Sequence, residues 1–182
     1  MKTILVKELM VPVESYATVS RKATLKEAVD TLEKAQNTLD PARHKYRAVL
    51  VLDDGGNVLG KITMKDILIA LEPNYKIMEG IEVLSSSGHS PDLVKSMLED
   101  NALWLEPFQF ICERATTIKV GDFVKPPETD GLIDENATLG EAIHQLVMLP
   151  HIALMVKKDN VIVGVLRLSD VFARICAKIK TC

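Results

Sequence analysis

The sequence predicts a mixed α/β chain built from two copies of one small module, and three observations carry that expectation. Gly60-Lys61-Ile62-Thr63-Met64-Lys65-Asp66-Ile67-Leu68 reads as a strand end running straight into a helix. Gly164-Val165-Leu166-Arg167-Leu168-Ser169-Asp170-Val171-Phe172 has the same shape 104 residues later. Upstream, Val6 to Pro12 matches Val120 to Pro126, and Ala23-Thr24-Leu25-Lys26-Glu27-Ala28 matches Ala137-Thr138-Leu139-Gly140-Glu141-Ala142, both at an offset of 114 residues. Two offsets mean one module present twice, with about ten extra residues inside the first copy. The expected division is 1–71 for the first module, 72–117 for a mostly helical insertion and 118–182 for the second module.

Residues 4–12 end in Met10-Val11-Pro12, which suggests a short helical turn stopped before the proline, followed by an extended piece from Val13 to Ser20. Leu25, Ala28, Val29, Leu32 and Ala35 then fall at helical steps, with Thr24 and Glu27 spaced as a capping box. The extra material, Gln36 to Tyr46, holds Pro41 and the basic cluster Arg43-His44-Lys45. Arg47 to Leu52 has strand content, Asp53-Asp54-Gly55-Gly56-Asn57 is a hairpin turn, and Val58 to Ile62 is the return strand. A helix starts at about Thr63 and carries Ile67, Leu68 and Leu71.

Between the modules, Ser90-Pro91 is a helix start, with serine as the cap and proline in the first turn. Val94, Met97 and Leu98 supply a short apolar face behind it, and Trp104, Leu105, Phe108 and Ile111 continue at roughly helical steps past Pro107. We read this aromatic stripe as packing on the modules or on a partner subunit. In the second module Thr138 caps a helix carrying Leu139, Ala142, Ile143, Leu146 and Val147. Ile152 to Val156 is a strand, Lys157-Lys158-Asp159-Asn160 its turn, Val161 to Leu166 the return strand, and Ser169 onward the last helix.

Composition narrows the function. With 47% apolar and 26% charged residues the chain can build a core and stay soluble. Each module alone is small, so the copies are expected to bury their faces against one another. A net charge of −3 makes no electrostatic case for nucleic acid. Charge arrives too early for a signal-peptide core, and no run reaches the roughly 18 apolar residues of a membrane span, so a cytoplasmic protein is expected, not embedded in a membrane. Three cysteines without metal-finger spacing read as free thiols. Catalysis is not expected: the four histidines and three cysteines show no metal spacing, and there is no GxSxG or Walker-type phosphate loop.

The ordered set of signals resembles the CBS domain pair, or Bateman module. The signals are the Val6-Lys7-Glu8-Leu9-Met10 and Val120-Gly121-Asp122-Phe123-Val124 lead-ins, the two Ala-Thr-Leu-x-x-Ala helix openings, and the Gly-x-x-Thr-x-x-Asp run from Gly60 to Asp66. The resemblance covers about residues 1–71 and 118–180. It implies tandem CBS domains of α/β (α+β) class, each a small sheet with two helices, related by a pseudo-twofold axis with two clefts between them. It further implies that the clefts bind AMP, ADP, ATP or S-adenosylmethionine, that the module regulates an enzyme, channel or transporter, and that whole chains pair as homodimers. Any regulated effector is expected to be a separate chain.

Under that resemblance Asp66 is the candidate acceptor for both ribose hydroxyls, and Thr63 offers its hydroxyl and N–H nearby. Thr63 and Asp66 are equally the spacing of a local helix cap, and both roles are compatible. Gly60 permits close approach of backbone to a ligand or serves tight strand geometry. In the second copy Asp170 stands at the aspartate position, but Arg167 replaces the threonine. Arg167 either clamps a phosphate or pairs with an acid and fills the cleft. Arg47 is the favoured phosphate-side cation, with His44 and Lys45 before it and His151 at the matching edge of the second module. The base would lie against Tyr16-Ala17-Thr18-Val19 or Asp130-Gly131-Leu132-Ile133, with Ala17, Val19 and Ile133 as wall residues and Tyr16 able to stack. The competing reading is a ligand-free dimeric scaffold, favoured if the two aspartates are paired across a filled groove.

Overall fold

The computed structural model describes residues 4–38, 46–72, 74–75, 92, 96, 99–100, 103–104 and 107–181. Among these residues seven strands form two sheets. A three-stranded sheet has the order β2-β3-β4, with β2 at Thr18–Ser20, β3 at Ala48–Leu52 and β4 at Val58–Thr63. A four-stranded sheet has the order β1-β7-β6-β5, with β1 at Val11–Pro12, β5 at Leu132–Asp134, β6 at Ala153–Lys158 and β7 at Val161–Arg167. Among the described residues the helices are α1 (Leu25–Thr38), α2 (Met64–Leu71), α3 (Phe108–Thr117), α4 (Leu139–Met148) and α5 (Leu168–Ile179).

Local chemistry explains most of these boundaries. The Thr63, Thr138 and Thr24 hydroxyls accept from the N–H groups of Asp66, Glu141 and Glu27, whose carboxylates accept in return from the threonine N–H groups. The first hairpin is closed by Asp53, whose carboxylate accepts from the N–H groups of Gly55 and Asn57 at 2.8 Å. The second turns on Asp159 at φ 47° and Asn160 at φ 68°. Positive φ at both central residues is what a tight two-residue hairpin requires.

Three expectations change. The segment before Pro12 is a 3-10 turn over Val6–Glu8, but Val11–Pro12 then pairs with β7 as a short edge strand. Proline is tolerated there because an edge position leaves its missing N–H without consequence. The extended piece from Val13 contains another 3-10 turn, Val13–Ser15, before β2. Pro107 does not interrupt a helix; it stands at the N-cap of α3, which packs against α1 and α2 while Phe108 and Phe110 on it are exposed. The Ser90–Pro91 start, His44 and Lys45 lie outside the described residues.

The pseudo-twofold relation is visible hydrogen bond by hydrogen bond. Val6 N–H donates to Ala137 O at 2.9 Å, and its counterpart Val120 N–H donates to Ala23 O at 2.9 Å. Leu139 N–H donates to Ile4 O at 2.8 Å, and Leu25 N–H donates to Ile118 O at 2.9 Å. Each module's lead-in therefore docks on the other module. Val6 is fully buried in the core cluster of Leu139, Leu154 and Leu166, while Val120 is fully buried with Leu25, Leu50 and Ile62.

Candidate functional site

Two clefts lie where the two sheets face each other, and both draw residues from both modules. The larger is a cavity of about 660 Å³. Tyr16, Leu50, Ile152, Val165 and Phe172 give it apolar walls, and Arg47, Lys61 and Arg167 bring cations. The smaller cavity, about 220 Å³, is lined by Lys61, Asp66, Phe123, Lys125, Glu128 and His151, with Gly131 at its back. Lys61 lines both.

The hairpin β3-β4 brings Arg47 and Thr63 together in the lining of the larger cavity, with Arg47 O accepting from Met64 N–H at 3.2 Å where strand gives way to helix. Tyr16, one of its lining residues, is held by an aromatic pair. Tyr16 and Tyr46 have ring centroids 4.5 Å apart, and the Tyr46 hydroxyl donates to Ser15 O at 2.9 Å. The Arg167 guanidinium lies 5.0 Å from the Tyr46 ring centre. Burial pushes the Tyr16 hydroxyl up to about 12, against the pull of Arg167 in the other direction.

Arg167 and Asp170 form a two-pronged pair, Nε to Oδ2 at 2.5 Å and Nη2 to Oδ1 at 2.7 Å. Burial works against the guanidinium's charge, but the Asp170 hydrogen bonds and charge outweigh it and hold its pKa above the ordinary arginine value. Lys61 is shifted the other way: burial lowers its pKa, partly countered by Asp66 and Glu128. Its ammonium donates to Ala153 O at 3.3 Å.

The candidate residues therefore separate. Arg47, Thr63 and Arg167 meet at the larger cavity, with Asp170 behind Arg167. Asp66 and His151 meet at the smaller one, so the Asp66 cleft is completed by the second module's 123–131 segment and not by Tyr16. Ala17, Val19 and Ile133 are buried in the core and line neither cavity; their places as walls are taken by Tyr16, Leu50 and Ile152. Gly60 does receive a backbone, but from the chain itself. A β-carbon there would lie 2.2 Å from the Lys125 carbonyl oxygen, and one on the equivalent Gly164 would lie 2.8 Å from that of Val11.

Ile152 and Phe172 as wall residues, and Glu128 as a cavity residue, escape a reading of the sequence. The repeat offsets hold part of the signal, because Glu128 corresponds to Glu14, Asp130 to Tyr16 and His151 to Arg47. No helix among the described residues is long and apolar enough to cross a membrane.

The model of the CBS domain matches residues 6–73. Comparison with curated proteins finds no match. Among solved structures, the chain is similar to the CBS-pair protein CBSX2 from Arabidopsis thaliana, at 18% identity and a TM-score of 0.61, covering 98% of each chain. It is also similar to CBSX2 in complex with AMP, at 17% identity and a TM-score of 0.58, covering 97% of this chain and 98% of that one. The CBS domain of the bacterial CNNM/CorC family Mg2+ transporter in complex with ATP aligns at 16% identity with a TM-score of 0.58, over 96% of this chain and 89% of that one. Residues 6–73 thus belong to the CBS domain family, and the chain as a whole has the fold of a CBS-domain pair.

Proposed function

We propose that this protein is a regulatory module that binds an adenine nucleotide in its larger cleft and signals its presence to a separate protein. The observation that carries the reading is the composition of that cleft: an apolar-walled cavity of about 660 Å³ with Arg47, Lys61 and Arg167 around it. This size falls within the ordinary range of small-molecule sites, roughly 300–1,000 Å³. The base would lie against Tyr16, Leu50 and Ile152, and the phosphates would face Arg47 and Lys61. Arg47 and Lys61, with Arg167 already paired to Asp170, favour AMP, ADP or ATP over S-adenosylmethionine, whose sulfonium carries positive charge. The solved CBS structures that hold AMP and ATP support the same ligand class.

Regulation would follow from differential binding. Because the cleft spans β4 of one sheet and β7 of the other, a nucleotide there favours one relative placement of the modules, and a partner reads that placement. Exposed Leu168, Phe172 and Ile179 on α5, with Val147 and Met148 at the end of α4, support a homodimer. We place the protein in the cytoplasm and assign it no catalytic role.

The scaffold reading draws on the Arg167–Asp170 pair and the Thr63–Asp66 cap, since both aspartates have partners without any ligand. The open larger cleft weighs against it. The test is calorimetric titration of nucleotide-stripped protein with AMP, ADP, ATP and S-adenosylmethionine, repeated on Arg47→Ala. Saturable binding of a nucleotide, weakened at least tenfold in the variant and absent for S-adenosylmethionine, is the expected result. Silence from all four ligands at millimolar concentration would leave the scaffold.

A further inference from the structure

The two clefts are related by the pseudo-twofold axis, but their chemistry has diverged in opposite directions. Where the larger has Tyr16 and Arg47, the corresponding positions around the smaller carry Asp130 and His151. Glu128, Asp130 and His151 each bring one ligating atom, and the three atoms lie within 4.8 Å of one another. The smaller cavity is lined by the carboxylates of Asp66 and Glu128 and the ammonium groups of Lys61 and Lys125, and Asp130 stands beside Glu128 and His151.

His151 supplies the most specific sign. Its Nε2 is shielded from solvent and makes no hydrogen bond among the described residues, although Asp130 Oδ1 lies 3.2 Å away. An imidazole N–H turned toward the carboxylate would satisfy that contact, and so would a metal ion bound to both atoms. With metal–ligand bonds of about 2.0–2.2 Å, neighbouring ligands lie about 3.0 Å apart in an octahedral site and about 3.4 Å apart in a tetrahedral one. The observed separation falls between these values.

The scaffold under the three groups is ordered. Gln145, on α4, donates from Nε2 to Asp130 O at 2.5 Å and to Leu132 O at 3.0 Å, fixing the Thr129–Gly131 turn that carries Asp130. Parallel pairing of β5 with β6 brings His151, two residues before β6, alongside that turn. Glu128 and Asp130 are exposed, leaving room for water to complete a coordination shell.

We propose that Glu128, Asp130 and His151 bind a divalent first-row transition-metal ion at the mouth of the smaller cleft. An imidazole with two carboxylates suits zinc or manganese better than magnesium or calcium, which favour all-oxygen shells. Spacing among histidines and cysteines alone passes over such a set, because its members are joined by the fold. The site stands independently of nucleotide binding in the larger cleft.

The test uses the full chain, stripped with chelator and titrated calorimetrically with Zn2+, Mn2+ and Mg2+. One Zn2+ or Mn2+ per chain is expected, at least tenfold tighter than Mg2+, with affinity falling at least tenfold in Asp130→Asn and further in His151→Asn. Because His151→Asn could fail to fold, Mn2+ is also added to wild-type protein and histidine proton resonances are followed; that of His151 should broaden first. No binding of either ion at millimolar concentration, undiminished binding in folded Asp130→Asn, or earlier broadening at His144 would overturn the site.

Discussion

Arg167 and Asp170, three residues apart at the start of α5, hold each other through two hydrogen bonds, whereas their counterparts Thr63 and Asp66 form a capping box. The same helix start is thus built in two ways: one around a neutral hydroxyl, the other around a buried guanidinium. Breaking a buried ion pair by removing one member costs about 3 kcal/mol. Asp170→Ala should lower unfolding free energy in urea by about that amount, and Asp170→Asn by less, since the amide oxygen still accepts. Equal losses in the two variants would contradict the pairing as a stability element.

The capping boxes make a smaller and separable prediction. Thr138→Ala removes one acceptor at the start of α4, where Glu141 N–H would lose its partner. A loss of about 1 kcal/mol is expected, with Thr138→Ser retaining most of the cap's contribution. Equilibrium urea denaturation of both variants checks this, and an unchanged Thr138→Ala midpoint would remove the cap from the account.

Gly60 and Gly164 should rank in a defined order. At Gly60 an added β-carbon meets the Lys125 carbonyl oxygen at 2.2 Å, a backbone atom that cannot rotate away. At Gly164 the nearest atoms are the Met10 thioether and the Val11 carbonyl oxygen, both at 2.8 Å, and the methionine can yield. Gly60→Ala should cost about 3 kcal/mol and Gly164→Ala less. Thermal melts that reverse this order would show that the Lys125 backbone gives way more readily than the geometry indicates.

Tyr16 links the larger cleft to alkaline pH. Its folded-state value of about 12 exceeds the unfolded value of about 10, so the unfolded chain loses this proton first. The contribution is fully present below about pH 10 and is lost as pH rises through about 12. Ultraviolet titration of tyrosinate should show a late phase near 12 that is absent in Tyr16→Phe. If the variant keeps that phase, burial of Tyr16 is not its cause.

The features legible in the sequence are those whose causes are local. Thr24 with Glu27, the Thr138 cap and the Asp53 turn are read correctly because each interaction spans a few residues, whereas the expected Lys157–Asn160 turn shrinks to Asp159-Asn160 because Lys157 and Lys158 extend β6. The repeat offsets reveal two modules for a related reason: pattern survives copying. What stays hidden depends on which copy supplies each wall. Asp66 meets His151 only because the sheets face one another, and Ala17 and Val19 turn into the core because parallel pairing of β2 with β3 sets their register. Phe172 escapes notice as a cavity residue because helical spacing says which residues share a face but not what that face looks at.

The exchanged lead-ins have a consequence for how such a chain can be taken apart. Ile4 and Val6 complete the second module, and Ile118 and Val120 complete the first, so each half keeps the other's missing piece. Produced separately, residues 1–71 and 118–182 would each lack a backbone partner for Leu25 or Leu139 and a buried valine. Mixed together they have every reason to reassemble. A duplicated module that trades its own first segment for its twin's cannot shed either copy, and damage to one is felt as a fault in both.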